Sequence, residues 1–120
     1  MKKKILIIED EPDVADTIKM YLEQAGYLAD FTLDAQEGLR MLPKYDLLLL
    51  DLIMPKVSGR AVLKEMKAKK ISKPVVVLSA VTMPMVVSAE LSKEYPDMVF
   101  VPKTAMYSDL IPAIKKALGG

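Results

Sequence analysis

Three short apolar runs without alternation punctuate the chain, Ile5 to Ile8, Leu47 to Leu50 and Val75 to Leu78. Each is too short for a helix and is bounded by charged, Pro or Ser residues, so each predicts a strand buried on both faces. Such strands belong to a parallel sheet, whose neighbours must be joined by crossovers, usually helical. The intervening segments have that character. Asp13 to Gln24 carries Val14, Ile18, Tyr21 and Leu22 at helical spacing, with Asp13 as the expected N-cap and Gly26 as the stop. Ala35 to Leu42 has Leu39 and Leu42 on one side, Asp34 at its start and Pro43 at its end. Gly59 to Lys69 repeats the pattern through Val62, Leu63 and Met66, with Ser58 as cap and lysines in the last turn, where they suit the helix dipole. Tyr27 to Phe31 and Met98 to Val101 add two strands, and helices are expected over Pro84 to Lys93 and Ser108 to Leu118. If Ser108 caps the last helix, Pro112 falls late in its first turn, where a missing N–H costs little.

Strand and helix thus alternate five times. The pattern predicts an α/β fold, a doubly wound three-layer sandwich around a five-stranded parallel sheet with right-handed crossovers. A length of 120 residues fits one domain spanning 1–120, and 52% apolar with 28% charged residues is ordinary globular composition. The net charge of +1 provides no global field toward nucleic acid or membrane. The lysines at 64, 67, 69, 70 and 73 read as a solvated helix face, because interleaved aromatics are missing. The basic start, Met1 to Lys4, is followed by only four apolar residues before Glu9, too few for an export signal, and no stretch is long enough to span a bilayer. A cytoplasmic protein without membrane insertion is the expectation. There is no Cys and no His, which excludes disulfides, thiolate zinc sites, Ser-His triads, Cys nucleophiles and imidazole acid-base chemistry. Carboxylates, hydroxyls, lysines and backbone remain.

Open α/β sheets bind ligands outside the carboxyl ends of their strands. Here those ends carry Glu9 and Asp10 after the first strand, Asp51 after the third, Ser79 in the fourth and Lys103 after the fifth. Crowded carboxylates repel one another unless a cation fills them, and with oxygen ligands alone the expected hard divalent ion is Mg²⁺. A metal, a Lys and a hydroxyl around an Asp suit phosphoryl transfer, with the Asp attacking phosphorus to give an aspartyl phosphate.

These residues resemble the receiver domains of two-component response regulators. The resemblance rests on Ile-Ile-Glu-Asp-Glu-Pro at 7–12, Leu-Leu-Asp-Leu-Ile-Met-Pro at 49–55 with Gly59 following, Val-Leu-Ser-Ala at 77–80 and Phe-Val-Pro-Lys at 100–103. It implies a flavodoxin-like strand order 2-1-3-4-5. It implies Asp51 as the phosphoacceptor, Asp10 as a direct Mg²⁺ ligand, Glu9 acting through a metal-bound water and the backbone carbonyl of Ile53 as a further ligand. Ser79 takes the place of the switch hydroxyl, Lys103 of the ammonium that pairs with a phosphoryl oxygen, and Phe100 of the aromatic switch residue. The implied function is a phosphoacceptor of a phosphorelay, a signalling domain and not an enzyme in its own right. A sensor histidine kinase or a phosphotransfer domain would donate the phosphoryl group, a downstream protein would read the output face, and nucleic acid would not be bound directly. A phosphorylation-dependent homodimer stays open.

Departures from the family pattern are local. Thr104 follows Lys103 where Pro is usual, so no cis peptide is expected there, and Glu94-Tyr95-Pro96-Asp97 replaces a small turn. Ile53 and Val81, two past Asp51 and Ser79, offer no hydrogen bond to a hydrolytic water, which predicts slow self-dephosphorylation. Ile53 also stands where a Mg²⁺-dependent phosphatase with an Asp nucleophile would carry a second carboxylate. Glu9-Asp10-Glu11 would repel a flavin phosphate. A phosphorylation-independent receiver-like interaction module remains the alternative, although the acceptor, the metal ligands and Lys103 are all present.

Overall fold

The computed structural model describes residues 2–52, 59–80 and 84–119. Along them run β1 (Lys4–Ile8), α1 (Pro12–Gln24), β2 (Leu28–Thr32), α2 (Ala35–Met41), β3 (Leu47–Leu50), α3 (Gly59–Ala68), β4 (Val75–Ser79), α4 (Pro84–Glu94), β5 (Val99–Pro102) and α5 (Met106–Ala117). The strands are all parallel, in the order β2-β1-β3-β4-β5. The three apolar runs form the central strands β1, β3 and β4, and their lack of alternation has a direct cause. Leu6, Ile8, Leu48, Leu50 and Val77 face a core completed by Leu39, Leu63 and Leu91 of α2, α3 and α4. Ile5, Ile7, Leu47, Leu49 and Val76 face the other, with Ile18 and Leu22 of α1 and Leu110 and Ile114 of α5. Each fully buried Leu or Ile contributes about 1.5–3 kcal/mol of transfer free energy, and a polar residue on either face of these strands would forfeit it.

Register follows from backbone bonds at both ends of the central pair. The amide of Lys4 donates to Asp46 Oδ2 and that of Asp46 to the Lys4 carbonyl, both at 2.8 Å, aligning the starts of β1 and β3. At their ends Ile8 pairs with Leu50, and the Asp51 amide continues the ladder to the Ile8 carbonyl at 3.0 Å.

Several local expectations need correction. Asp13 is not the cap of α1: Pro12 occupies the first turn, where its missing N–H is no loss, and Glu11 stands at the cap position without a side-chain bond. Asp34 does cap α2, accepting from the amides of Gln36 and Glu37 at 2.9 and 3.3 Å. Pro43 does not simply end that helix but sits inside a 3₁₀ turn, Leu42–Lys44. The last helix starts at Met106, led in by a 3₁₀ turn over Lys103–Ala105, so Ser108 lies inside it and donates to the Ala105 carbonyl at 3.2 Å. Pro112 is therefore in the helix interior, on an exposed position, and not in its first turn. At the start of α5, Tyr21 of α1 donates to the Tyr107 carbonyl at 3.0 Å, and the two rings meet edge-on. Among the described residues no peptide bond is cis, and no helix is long and apolar enough to cross a membrane. Ile53, Ser58, Val81 and Met83 lie outside the described residues.

Candidate functional site

The rim at the carboxyl ends of the strands is built by strand register. Glu9 follows β1 and is held from the β2 side, its amide donating to the Thr32 carbonyl at 3.3 Å, while Asp51 is held from the β1 side by the Ile8 carbonyl. Both are buried, and Asp10 stands half-buried beside them. One carboxylate oxygen from each of Glu9, Asp10 and Asp51 lies within 4.8 Å of the others. In β4, Ser79 pairs with Pro102 of β5, which puts Lys103 over the same rim. The Lys103 ammonium stands 3.2 Å from Glu9 Oε2 and 3.5 Å from Asp51 Oδ2; the second contact is an ion pair and not a short hydrogen bond. Phe100, partnered in register by Val77, is half-buried against the α2–α3–α4 core and lies outside this cluster.

The electrostatics are unbalanced, with one ammonium facing two buried carboxylates. Burial and then the Asp51 charge push the Glu9 carboxyl up to about 7, although Lys103 pulls it down. For Lys103 burial acts downward, but Asp51 and Glu9 outweigh it and hold the ammonium above its ordinary range. Two buried polar atoms, Glu9 Oε1 and Ser79 Oγ, have no hydrogen-bond partner among the described residues. A buried orphan oxygen is costly, of order 1–3 kcal/mol, unless a ligand completes it. An all-oxygen donor set holding a carboxylate that resists ionisation suits a hard cation, so these residues fit a divalent metal.

Five of the residues singled out in the sequence, Glu9, Asp10, Asp51, Ser79 and Lys103, thus come to one rim; the sixth with a described side chain, Phe100, does not touch it. Two further residues contribute to the site. Thr32 ends the edge strand and supplies the carbonyl that orients Glu9. Gly59 lies directly behind Asp51: its amide donates to the Leu52 carbonyl at 2.8 Å, and a Cβ there would stand 2.5 Å from the Asp51 carbonyl oxygen. Its place in the 49–59 motif is the one available signal, and the close approach is the reason behind it.

Comparison with known proteins agrees with this geometry. The model of the response regulator receiver domain matches residues 5–115. The transcriptional regulatory protein DltR of Streptococcus agalactiae is 37% identical over 79 residues, 64% of this chain and 35% of DltR. The response regulator SaeR of Staphylococcus aureus is also 37% identical over 79 residues, 65% of this chain and 35% of SaeR. The match therefore spans about a third of the length of these curated relatives. Among solved structures, the response regulator protein TrrA of Thermotoga maritima, in complex with Mg²⁺-BeF, superposes with a TM-score of 0.81 at 31% identity, covering 98% of this chain and 99% of that one. With strand order, acidic rim and family match all in agreement, the chain belongs to the receiver domains of two-component response regulators.

Proposed function

We propose that this receiver accepts a phosphoryl group on Asp51 from a cytoplasmic sensor histidine kinase or phosphotransfer protein, and that the modified site shifts the population of two conformations read by a downstream protein. One observation carries the proposal: Asp51 is buried at the end of β3 with two further carboxylates within 4.8 Å and an ammonium at 3.5 Å. A lone structural Asp needs neither.

In the transfer, an Asp51 carboxylate oxygen forms a bond to phosphorus as the donor's phosphorus–nitrogen bond breaks. The bonding pair leaves with the donor nitrogen, and the product is an acyl phosphate on Asp51. Glu9, Asp10 and Asp51 would hold Mg²⁺, which when bound offsets the charge on the phosphoryl oxygens. Lys103, kept protonated by its two carboxylate neighbours, supplies a further positive charge beside the acceptor. Ser79 Oγ, buried and without a partner among the described residues, is free to donate to a phosphoryl oxygen. Such a bond draws on β4, and through the β4–β5 pairing of Val77 with Phe100 it reaches the aromatic ring on the sheet's α4 side.

Intact-mass measurement after incubation with acetyl phosphate, with and without Mg²⁺, tests this on the parent and on Asp51→Asn. A single Mg²⁺-dependent phosphoryl adduct, lost in the variant, is the expected outcome. No adduct with any small donor would leave the interaction module as the better account.

A further inference from the structure

At the opposite pole, where the strands begin, the chain gathers positive charge. Residues 64–73 hold five lysines and one acid, Glu65, which is already paired with Lys69 at 2.9 Å. Between them and α5 runs a groove of two adjoining cavities, of about 250 and 480 Å³, which share Ser72, Lys73, Pro96, Asp97 and Met98. The smaller is floored by Met66, Ile71, Val75 and Met98 and walled by the Tyr95 ring, over which the Lys67 ammonium sits 5.7 Å from the centroid. The larger reaches Lys116 and Ala117 at the end of α5. The larger has the size of a ligand-binding cleft, and the smaller falls just below that range.

The lysines are not all explained by the fold. Lys67 and Lys116 stand in the last turns of α3 and α5, where the helix dipole favours them. Lys73 lies past α3, half-buried in the wall common to both cavities, and neither it nor Lys116 has an ion-pair partner among the described residues. Of the acids that line the groove, Glu94 ends α4 at the smaller cavity, and Asp97, between α4 and β5, lines both cavities together with Lys73.

We propose that this groove docks an acidic peptide segment of a partner protein, an apolar side chain entering the smaller cavity and carboxylates farther along the segment meeting Lys73 and Lys116. Charge complementarity with an apolar floor selects this occupant. The lining sets Lys67, Lys73 and Lys116 against Glu94 and Asp97, a net positive charge, and a peptide can direct discrete carboxylates at Lys73 and Lys116 where a continuous phosphate backbone would also run past both acids. The groove traverses the starts of β4 and β5 from α3 to α5, a path suited to an extended segment. It lies at the other end of the sheet from Asp51, so docking does not depend on the phosphoryl chemistry.

A random 12-residue peptide display library panned on the unphosphorylated chain tests this, with the Lys73→Glu/Lys116→Glu variant as counter-target. Expected are enriched sequences with acids to one side of an apolar residue, binding the parent roughly tenfold more tightly than the variant and moving backbone amide resonances of residues 66–75 and 94–99. An unchanged thermal midpoint and unchanged adduct formation in the variant separate lost docking from lost folding. Enrichment without acids, equal binding to the variant, resonance shifts confined to the Asp51 pole, or displacement of the peptide by a single-stranded DNA probe would each overturn the proposal.

Discussion

Glu9 and Lys103 meet at 3.2 Å, yet the carboxyl is held near 7 because burial and Asp51 outweigh the one ammonium. A carboxyl whose folded pKa is raised binds its proton more tightly folded than unfolded. Its favourable contribution is complete below the unfolded value of 4.5 and disappears as pH rises to about 7. In metal-free buffer the chain should therefore lose stability across that window, by an amount of order 3 kcal/mol from Glu9. Glu9→Gln should flatten the slope, and Mg²⁺ should restore stability at the alkaline end for the parent. Urea unfolding at pH 5 and pH 7.5 measures both; identical slopes in parent and variant would remove Glu9 from the account.

Ser79 gives a prediction in which function and stability part. Its Oγ is fully buried with no hydrogen-bond partner among the described residues, so in the unmodified chain the hydroxyl carries a desolvation cost without a compensating bond. Ser79→Ala should leave the unmodified chain equally stable or stabilise it by up to about 1 kcal/mol. The same substitution should shrink the rise in thermal midpoint produced by beryllofluoride with Mg²⁺. A variant that melts well below the parent without ligand would mean that the hydroxyl is already bonded.

Much of this architecture is legible in the sequence because its signals are local. Ile5 to Ile8 and Leu47 to Leu50 declare strands buried on both faces, and Asp34 declares a helix start that the structure keeps. The rim is legible for the same reason: Glu9, Asp51 and Ser79 sit at strand ends, so the fold class alone brings them together. What escapes depends on tertiary geometry. A 3₁₀ turn after Lys103 moves the start of α5 ahead of Ser108, and no single residue announces it. The preference of Lys103 for Glu9 over Asp51 is set by a few tenths of an ångström at the end of a long side chain. The basal groove joins Met66 to Lys116, positions that only the folded sheet makes neighbours.

Two buried glycines should respond differently to alanine. At Gly59 a Cβ would stand 2.5 Å from the Asp51 carbonyl oxygen and 2.6 Å from Leu52 Cα, and both are backbone atoms that cannot step aside. Gly59→Ala should cost about 2–3 kcal/mol and reduce phosphoryl adduct formation, because the strain is delivered to the backbone of Asp51 itself. At Gly38 the obstacles within 3 Å are Ile8 Cδ1 and Cγ1, side-chain and not backbone atoms. There the gain in helix propensity, about 1 kcal/mol, offsets part of the clash, so Gly38→Ala should be the milder change and should spare adduct formation. Denaturant unfolding with intact-mass assay of both variants decides it, and a reversed order would contradict the assignment.

Lys70 carries a backbone conformation that belongs to glycine. Its φ is +57°, and it follows α3 at the position where the chain turns left-handed: its amide donates to the Lys67 carbonyl at 3.2 Å, and that of Ile71 to the Met66 carbonyl at 2.9 Å. This bond pair is a Schellman motif, closed by the apolar residues Met66 and Ile71 flanking the turn. A Cβ in this region costs about 1 kcal/mol that Gly avoids, partly offset by the greater freedom of Gly in the unfolded chain. Lys70→Gly should therefore stabilise the protein by about 0.5–1 kcal/mol, a rise of a few degrees in thermal midpoint. Ala68→Gly, two residues earlier and at the last position of the helix, should instead destabilise, by up to about 1 kcal/mol. Because Lys70 is exposed and lines neither cavity of the groove, its replacement should leave peptide docking intact. Opposite signs for two Gly substitutions two residues apart follow from the left-handed turn alone; equal losses at both positions would mean that Lys70 is not strained.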